Sequence, residues 1–152
     1  MRVLGLVLVA GVLSACASAS VDSSRDAEAK LFRAPQDKAC IYIVPTNTIS
    51  AVSITMDGRK VGTLEAANFW RLDVSPSRHV LSVAPAGLMP VVFRETRDNL
   101  AVDTEVGHCY FLRTVWTEDP QRWRQFRVFL ERVTEAEGQR EVNVRMLTLP
   151  GN

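Results

Sequence analysis

The residues with chemistry to offer are few. The chain has three cysteines and two histidines among 152 residues. Cys40 and Cys109 each open an apolar run, ACIYIV and CYFLRTVW, so two strands could carry them side by side. In an oxidising compartment such a pair favours a disulfide, and in a reducing one two buried thiols. Pairing would close a long loop, worth about 4 kcal/mol by chain entropy. The histidines are His79 and His108. His108 and Cys109 are adjacent on a strand and point to opposite faces, so they cannot chelate one ion together. His79 opens a core-facing series and reads as a hydrogen-bonded turn histidine. No serine stands in a nucleophile elbow, and there is neither an HExxH helix nor a phosphate-cradling loop. Nothing calls for a cofactor or a metal. Residues 116–127 (WTEDPQRWRQFR) are the most suggestive surface. Trp116 and Trp123 flank an irregular stretch with Arg122, Arg124 and Arg127 interleaved, and these two residue types dominate binding hot spots. Arg grips carboxylates bidentately and a Trp face stacks on sugars, which suits a protein or glycan partner. The simpler reading has both tryptophans anchoring a crossover loop.

Cys16 is of another kind. Met1 and Arg2 form a short positive start, and residues 3–13 (VLGLVLVAGVL) carry no charge. A run of that length suits a secretory h-region and is too short to cross a hydrocarbon core, which takes roughly 20 helical residues. Leu13, Ser14, Ala15 and Cys16 follow. Small residues before the cut and a thiol after it resemble the lipobox of bacterial lipoproteins, at all four of its positions. The resemblance implies cleavage before Cys16, diacylglycerol on its sulfur and a further acyl chain on the new amino terminus. Ala17 stands where an Asp would favour inner-membrane retention, so the resemblance implies outer-membrane sorting with the domain facing the periplasm. Cleavage would also remove Arg2, and with it the single excess positive charge of the chain. A near-neutral net charge argues against nucleic acid as a partner, since such binding wants a basic face.

These readings divide the chain into a signal peptide (residues 1–15), a lipidated cysteine with a flexible tether (16–30) and one β domain (31–152). The tether reading rests on ASASVDSSRDAEAK, rich in Ser, Ala and charge, with an r.m.s. reach of roughly 20 Å as coil.

The domain itself has period two. ACIYIV is apolar on both faces and ends at Pro45, as a central strand would. Val52, Ile54 and Met56 alternate with polar residues up to Asp57-Gly58, a type I′ hairpin signal. Val61 begins the return. Trp70, Leu72 and Val74 make the next strand, Ser75-Pro76-Ser77 a turn, and His79, Leu81 and Val83 another strand. A loop spans residues 85–90, Leu100, Val102 and Thr104 alternate again, and Gly107 turns the chain into the strand from Cys109 to Trp116. Residues 126–133 form a last strand. Thr134 with Glu137 has capping-box form, starting a helix that runs to about Leu147 and that Gly138 weakens by about 1 kcal/mol. The expectation is a mainly β fold: an antiparallel β-sandwich or small barrel of about seven to eight strands with a short C-terminal helix.

Four stretches in order, Cys40 to Ile43, Val52 to Gly62, Phe69 to Ser82 and Gly107 to Arg113, resemble domain-of-unknown-function family 2846, small bacterial lipoproteins with a β-sandwich-like domain. Ser77 departs from the Gly of the family's turn. The resemblance implies the fold and no activity. Two functions are then open: an envelope module that binds a protein or glycan without catalysis, and a hydrolase with paired carboxylates in a cleft.

Overall fold

The computed structural model describes residues 23–46, 51–86, 98–118 and 126–150. Cys16, the expected signal peptide, and Arg122, Trp123 and Arg124 lie outside the described residues, as does most of the loop expected over 85–90.

Two sheets pack face to face as a β-sandwich. The elements run α1 (Ser23–Ala29), β1 (Ala39–Pro45), β2 (Val52–Met56), β3 (Arg59–Leu64), β4 (Asn68–Val74), β5 (Arg78–Pro85), β6 (Asn99–Asp103), β7 (Cys109–Glu118), β8 (Phe126–Val133), α2 (Glu135–Asn143) and β9 (Met146–Leu147). One sheet has the order β8-β7-β1-β4-β9 and the other β3-β2-β5-β6. Alternation sorts each strand of the first sheet to two faces. Ile41, Ile43, Trp70, Leu72, Leu112, Val128 and Leu130 meet Val52, Ile54, Leu81 and Val83 between the sheets. Cys40, Tyr42, Val44, Phe69 and Phe111 point the other way, against Ala29 of α1 and Val142 of α2. The helices thus form a third layer. β1 lies in the middle of all three, which is why its seven residues are all buried and its sequence shows no polar phase.

The structure departs from the sequence reading in four places. β1 and β7 run parallel, as do β4 and β9, so the first sheet is mixed where an antiparallel one was expected. A parallel neighbour needs a long crossover, and here β2 to β6, the whole second sheet with β4, supply it. Nine strands are found among the described residues, one more than expected, because the expected end of the C-terminal helix is a strand. α2 stops at Asn143 and Met146–Leu147 pairs with Asn68 and Phe69. Ser23–Ala29, read as tether, is helical. Its docking uses little apolar surface. Ala29 is buried, the Tyr42 hydroxyl donates to the Ala29 carbonyl at 2.6 Å, and the buried Asp26 accepts from the Leu147 amide at 2.8 Å and from Lys30 Nζ at 2.7 Å.

Other local signals are realised as read. Asp57 and Gly58 take φ of 51° and 78°, the left-handed pair of a type I′ turn. Thr134 caps α2, its hydroxyl accepting from the Glu137 amide. Gly138 has a use that its helix propensity conceals. A Cβ there would lie 2.4 Å from Cβ and Cγ of Phe111, so the missing side chain is what lets α2 sit down on the sheet. Gly138→Ala should therefore destabilise by about 1–2 kcal/mol, because overpacking outweighs the helix-propensity gain. Chemical denaturation checks this, and a stabilised variant would contradict it.

Candidate functional site

The sandwich brings Cys40 and Cys109 together. They are direct register partners on the parallel pair β1 and β7, with Cα atoms 4.5 Å apart, and they form a disulfide. The bond lies on the helix-facing side of the sheet, at the entry of both strands. The Cys40 amide donates to the His108 carbonyl at 3.0 Å, which fixes this entry. His108 itself is at the surface, its Nδ1 3.1 Å from the Val106 carbonyl, and it has no part in a thiol–imidazole pair.

Beside the disulfide lies a cavity of about 410 Å³, lined among others by Asp103, Glu105, His108, Tyr110, Arg132 and Glu135. Arg132 stacks on the Tyr110 ring, 4.8 Å from its centroid, and the Tyr110 hydroxyl accepts from the Glu105 amide at 3.0 Å. This cavity is one of three among the described residues that are lined by more than one carboxylate, the others holding Glu28 with Asp73 and Glu137 with Glu141. Among the described residues no group of three or more His, Cys, Asp or Glu is arranged to hold a metal ion.

A second charged cluster escaped the sequence reading. Arg113 projects from β7 toward α2 and gathers three carboxylates. Its Nε donates to Glu131 at 2.6 Å, and Nη1 donates to Glu137 at 2.7 Å and Glu141 at 3.2 Å. These hydrogen bonds, that to Glu131 first, hold the guanidinium pKa above its ordinary value. The cluster ties α2 to β7 and β8 through one oxygen of each glutamate, and Glu141 Oε2 is buried there without a hydrogen-bond partner among the described residues. An arginine inside the apolar run of β7, with glutamates four apart on the following helix, was the available signal.

His79 stands in a geometry that imitates a catalytic relay. Its Nδ1 lies 2.7 Å from Asp57 Oδ2, and its Nε2 lies 3.1 Å from the Ser77 hydroxyl oxygen. The resemblance ends at Nε2, which is also 2.9 Å from the Ser75 carbonyl. A carbonyl only accepts, so Nε2 must carry a proton and has no lone pair with which to take one from Ser77. With Nδ1 donating to Asp57 as well, the arrangement favours imidazolium. It is a clamp. It holds the turn after β4 to the β2–β3 hairpin, whose Asp57 Oδ1 also accepts from the Val80 amide at 2.8 Å.

The clamp has a pH signature. Burial pulls the His79 pKa down, but the hydrogen bonds to Asp57 and to the Ser75 carbonyl, with the Asp57 charge, outweigh it and leave it raised. Its hydrogen bonds with His79 and Val80 lower the Asp57 pKa. The histidine's contribution is therefore complete below its unfolded pKa of about 6.5 and is lost as pH rises through the folded value. The aspartate's contribution is present above about 4 and is lost as pH falls through its folded value. His79→Gln should thus lower the Tm most between about pH 4 and 6.5, and less at pH 8.5. Thermal melts across that range check it, and a loss that does not change with pH would contradict it.

Trp116, of the suggestive surface, is partly buried and packs against the inter-sheet core. Arg127 stacks on Phe129 of its own strand, 5.4 Å from the ring centroid. Both belong to the packing of the sandwich edge.

No protein-family model matches the chain, and no curated protein matches it.

Proposed function

We propose that this chain is a lipid-anchored protein of the bacterial cell envelope, cut before Cys16 and displaying a small β-sandwich from the outer membrane into the periplasm. The observation that carries the reading is the sequence Leu13-Ser14-Ala15-Cys16 directly after an uncharged run of secretory length. One feature of the domain supports it. The Cys40–Cys109 disulfide suits an oxidising compartment. No helix among the described residues is long and apolar enough to cross a membrane.

In this reading the domain is a binding or structural module for an envelope protein or glycan, with Trp116, Arg122, Trp123 and Arg124 as its proposed contact region. The alternative is an envelope hydrolase using carboxylates, whose place would be the cavity with Asp103, Glu105 and Glu135. It stands second because nothing singles out a proton-donating acid among them.

The test is processing. In cells treated with globomycin, which blocks the lipoprotein signal peptidase, the protein should accumulate as a precursor that keeps residues 1–15. Unchanged processing would overturn the lipoprotein reading.

A further inference from the structure

The two sulfurs of the disulfide are not equivalent. Cys109 lines the cavity of about 410 Å³ beside the bond, and Cys40 does not. Cys109 is partly exposed, whereas Cys40 is fully buried. The difference follows from the fold. Cys40 opens β1, the strand between β7 and β4, and shares its face with Tyr42, Val44, Phe69 and Phe111. Cys109 opens β7 just after the Gly107 turn, where the chain arrives from the surface with His108 exposed. The loop before β1 covers Cys109 only in part, placing the Phe32 carbonyl 3.4 Å from its sulfur.

Thiol–disulfide exchange begins when a thiolate reaches one sulfur of the bond, and access decides which. The cavity gives that access to Cys109. Its volume falls in the range that holds small molecules. Its lining carries charges of both signs, with Glu105 and Glu135 facing Arg132, and Asp103 reached by Arg78 at 3.9 Å. The strands do not need the bond to stay paired. β1 and β7 keep one parallel register from Cys40 opposite Cys109 to Pro45 opposite Thr114, and the Cys40 amide is held by the His108 carbonyl. The bond can therefore open inside the folded domain.

We propose that Cys109 is a site of S-thiolation by thiols of low molecular mass, with Cys40 as the sulfur released. The incoming thiolate gives an electron pair to Cys109 Sγ and forms a new S–S bond there. The bond between Cys109 and Cys40 breaks, and its electron pair goes to Cys40 Sγ, which takes up a proton from solvent. The incoming sulfur is oxidised to a disulfide and Cys40 is reduced to a thiol, so no further oxidant or reductant enters. The proposal rests on the disulfide and its cavity, and it holds with or without lipid on Cys16.

The full protein, oxidised as purified, is incubated with excess glutathione at about pH 8, where part of that thiol is thiolate, under conditions that keep the domain folded. Acid stops the exchange, N-ethylmaleimide caps every free thiol, and peptide mass spectrometry locates the glutathione. The expected result is glutathione on Cys109 with maleimide on Cys40, at least roughly tenfold over the opposite arrangement, since the accessible sulfur is the one attacked. The rate should rise in proportion to glutathione concentration. Glutathione on Cys40, or on the two alike, would overturn the proposal. A rate that does not change with glutathione would overturn it as well, because opening would then wait on unfolding. A bond that stays intact in the folded protein while the same protein in urea is reduced would also overturn it.

Discussion

Cys16→Ser should remove the protein from the outer-membrane fraction entirely. The effect is large because, on the proposed reading, acyl chains supply the attachment. Each buried CH₂ contributes about 0.8 kcal/mol, one chain holds a protein only marginally, and two or more hold it stably. A serine at position 16 leaves no sulfur for the thioether and no lipobox for the peptidase. The variant should be recovered in the soluble periplasmic fraction, or with the inner membrane if residues 3–13 stay attached. Separation of membranes by density with immunoblotting checks this. A Cys16→Ser protein still in the outer-membrane fraction would mean another attachment, and the lipid account would be wrong.

Opening the Cys40–Cys109 bond should have the largest effect on stability. The two strands it joins are neighbours in space but far apart in sequence, separated by 69 residues. In the unfolded chain the bond closes a loop of that size, so its loss should cost about 4 kcal/mol in the chain-entropy model. For a domain of this length that corresponds to a fall in Tm of roughly 10–15 °C. The comparison is between the oxidised protein and Cys40→Ala with Cys109→Ala. Reduction of the wild type should reproduce most of the loss, since it makes no cavity. A change below roughly 3 °C on reduction would contradict the account. The location adds to the expectation. Cys40 is fully buried in the central strand, on the face shared with Tyr42 and Phe111, where those two rings stack at 4.9 Å.

Much of this fold was legible in residue patterns, and the gaps have physical causes. Ala39–Pro45 could be read as a central strand because burial on both faces leaves no polar phase, and the layers above and below it are as that implies. Asp57-Gly58 and the Thr134 cap were legible because their backbone conformations restrict residue type. Strand direction was not, since alternation looks the same read either way along a neighbour, and β1 beside β7 turned out parallel. α1 was hidden because it docks through an alanine, a buried carboxylate and a tyrosine hydroxyl from β1, which leave no apolar stripe. β9 was hidden by its length of two residues. Of the proposed sites, the cysteine pair could be foreseen from two thiols each opening an apolar strand. The Arg113 cluster needed knowledge of which helix crosses which strand. His79 was read as a turn histidine, and its contacts with Asp57, Ser75 and Ser77 give that reading its content.

These parts meet in one arrangement. A disulfide and an arginine cluster on the helix-facing side hold strands and helices together, and the proposed anchor enters through α1 on that same side.

The most direct measurement is the intact mass of the protein purified from membranes. The account predicts a chain beginning at Cys16, heavier than the sequence from Cys16 to Asn152 by a diacylglyceryl group and an amide-linked acyl chain, and lighter by two hydrogens for the Cys40–Cys109 bond. A mass equal to the unmodified chain, or one showing cleavage anywhere other than before Cys16, would contradict it.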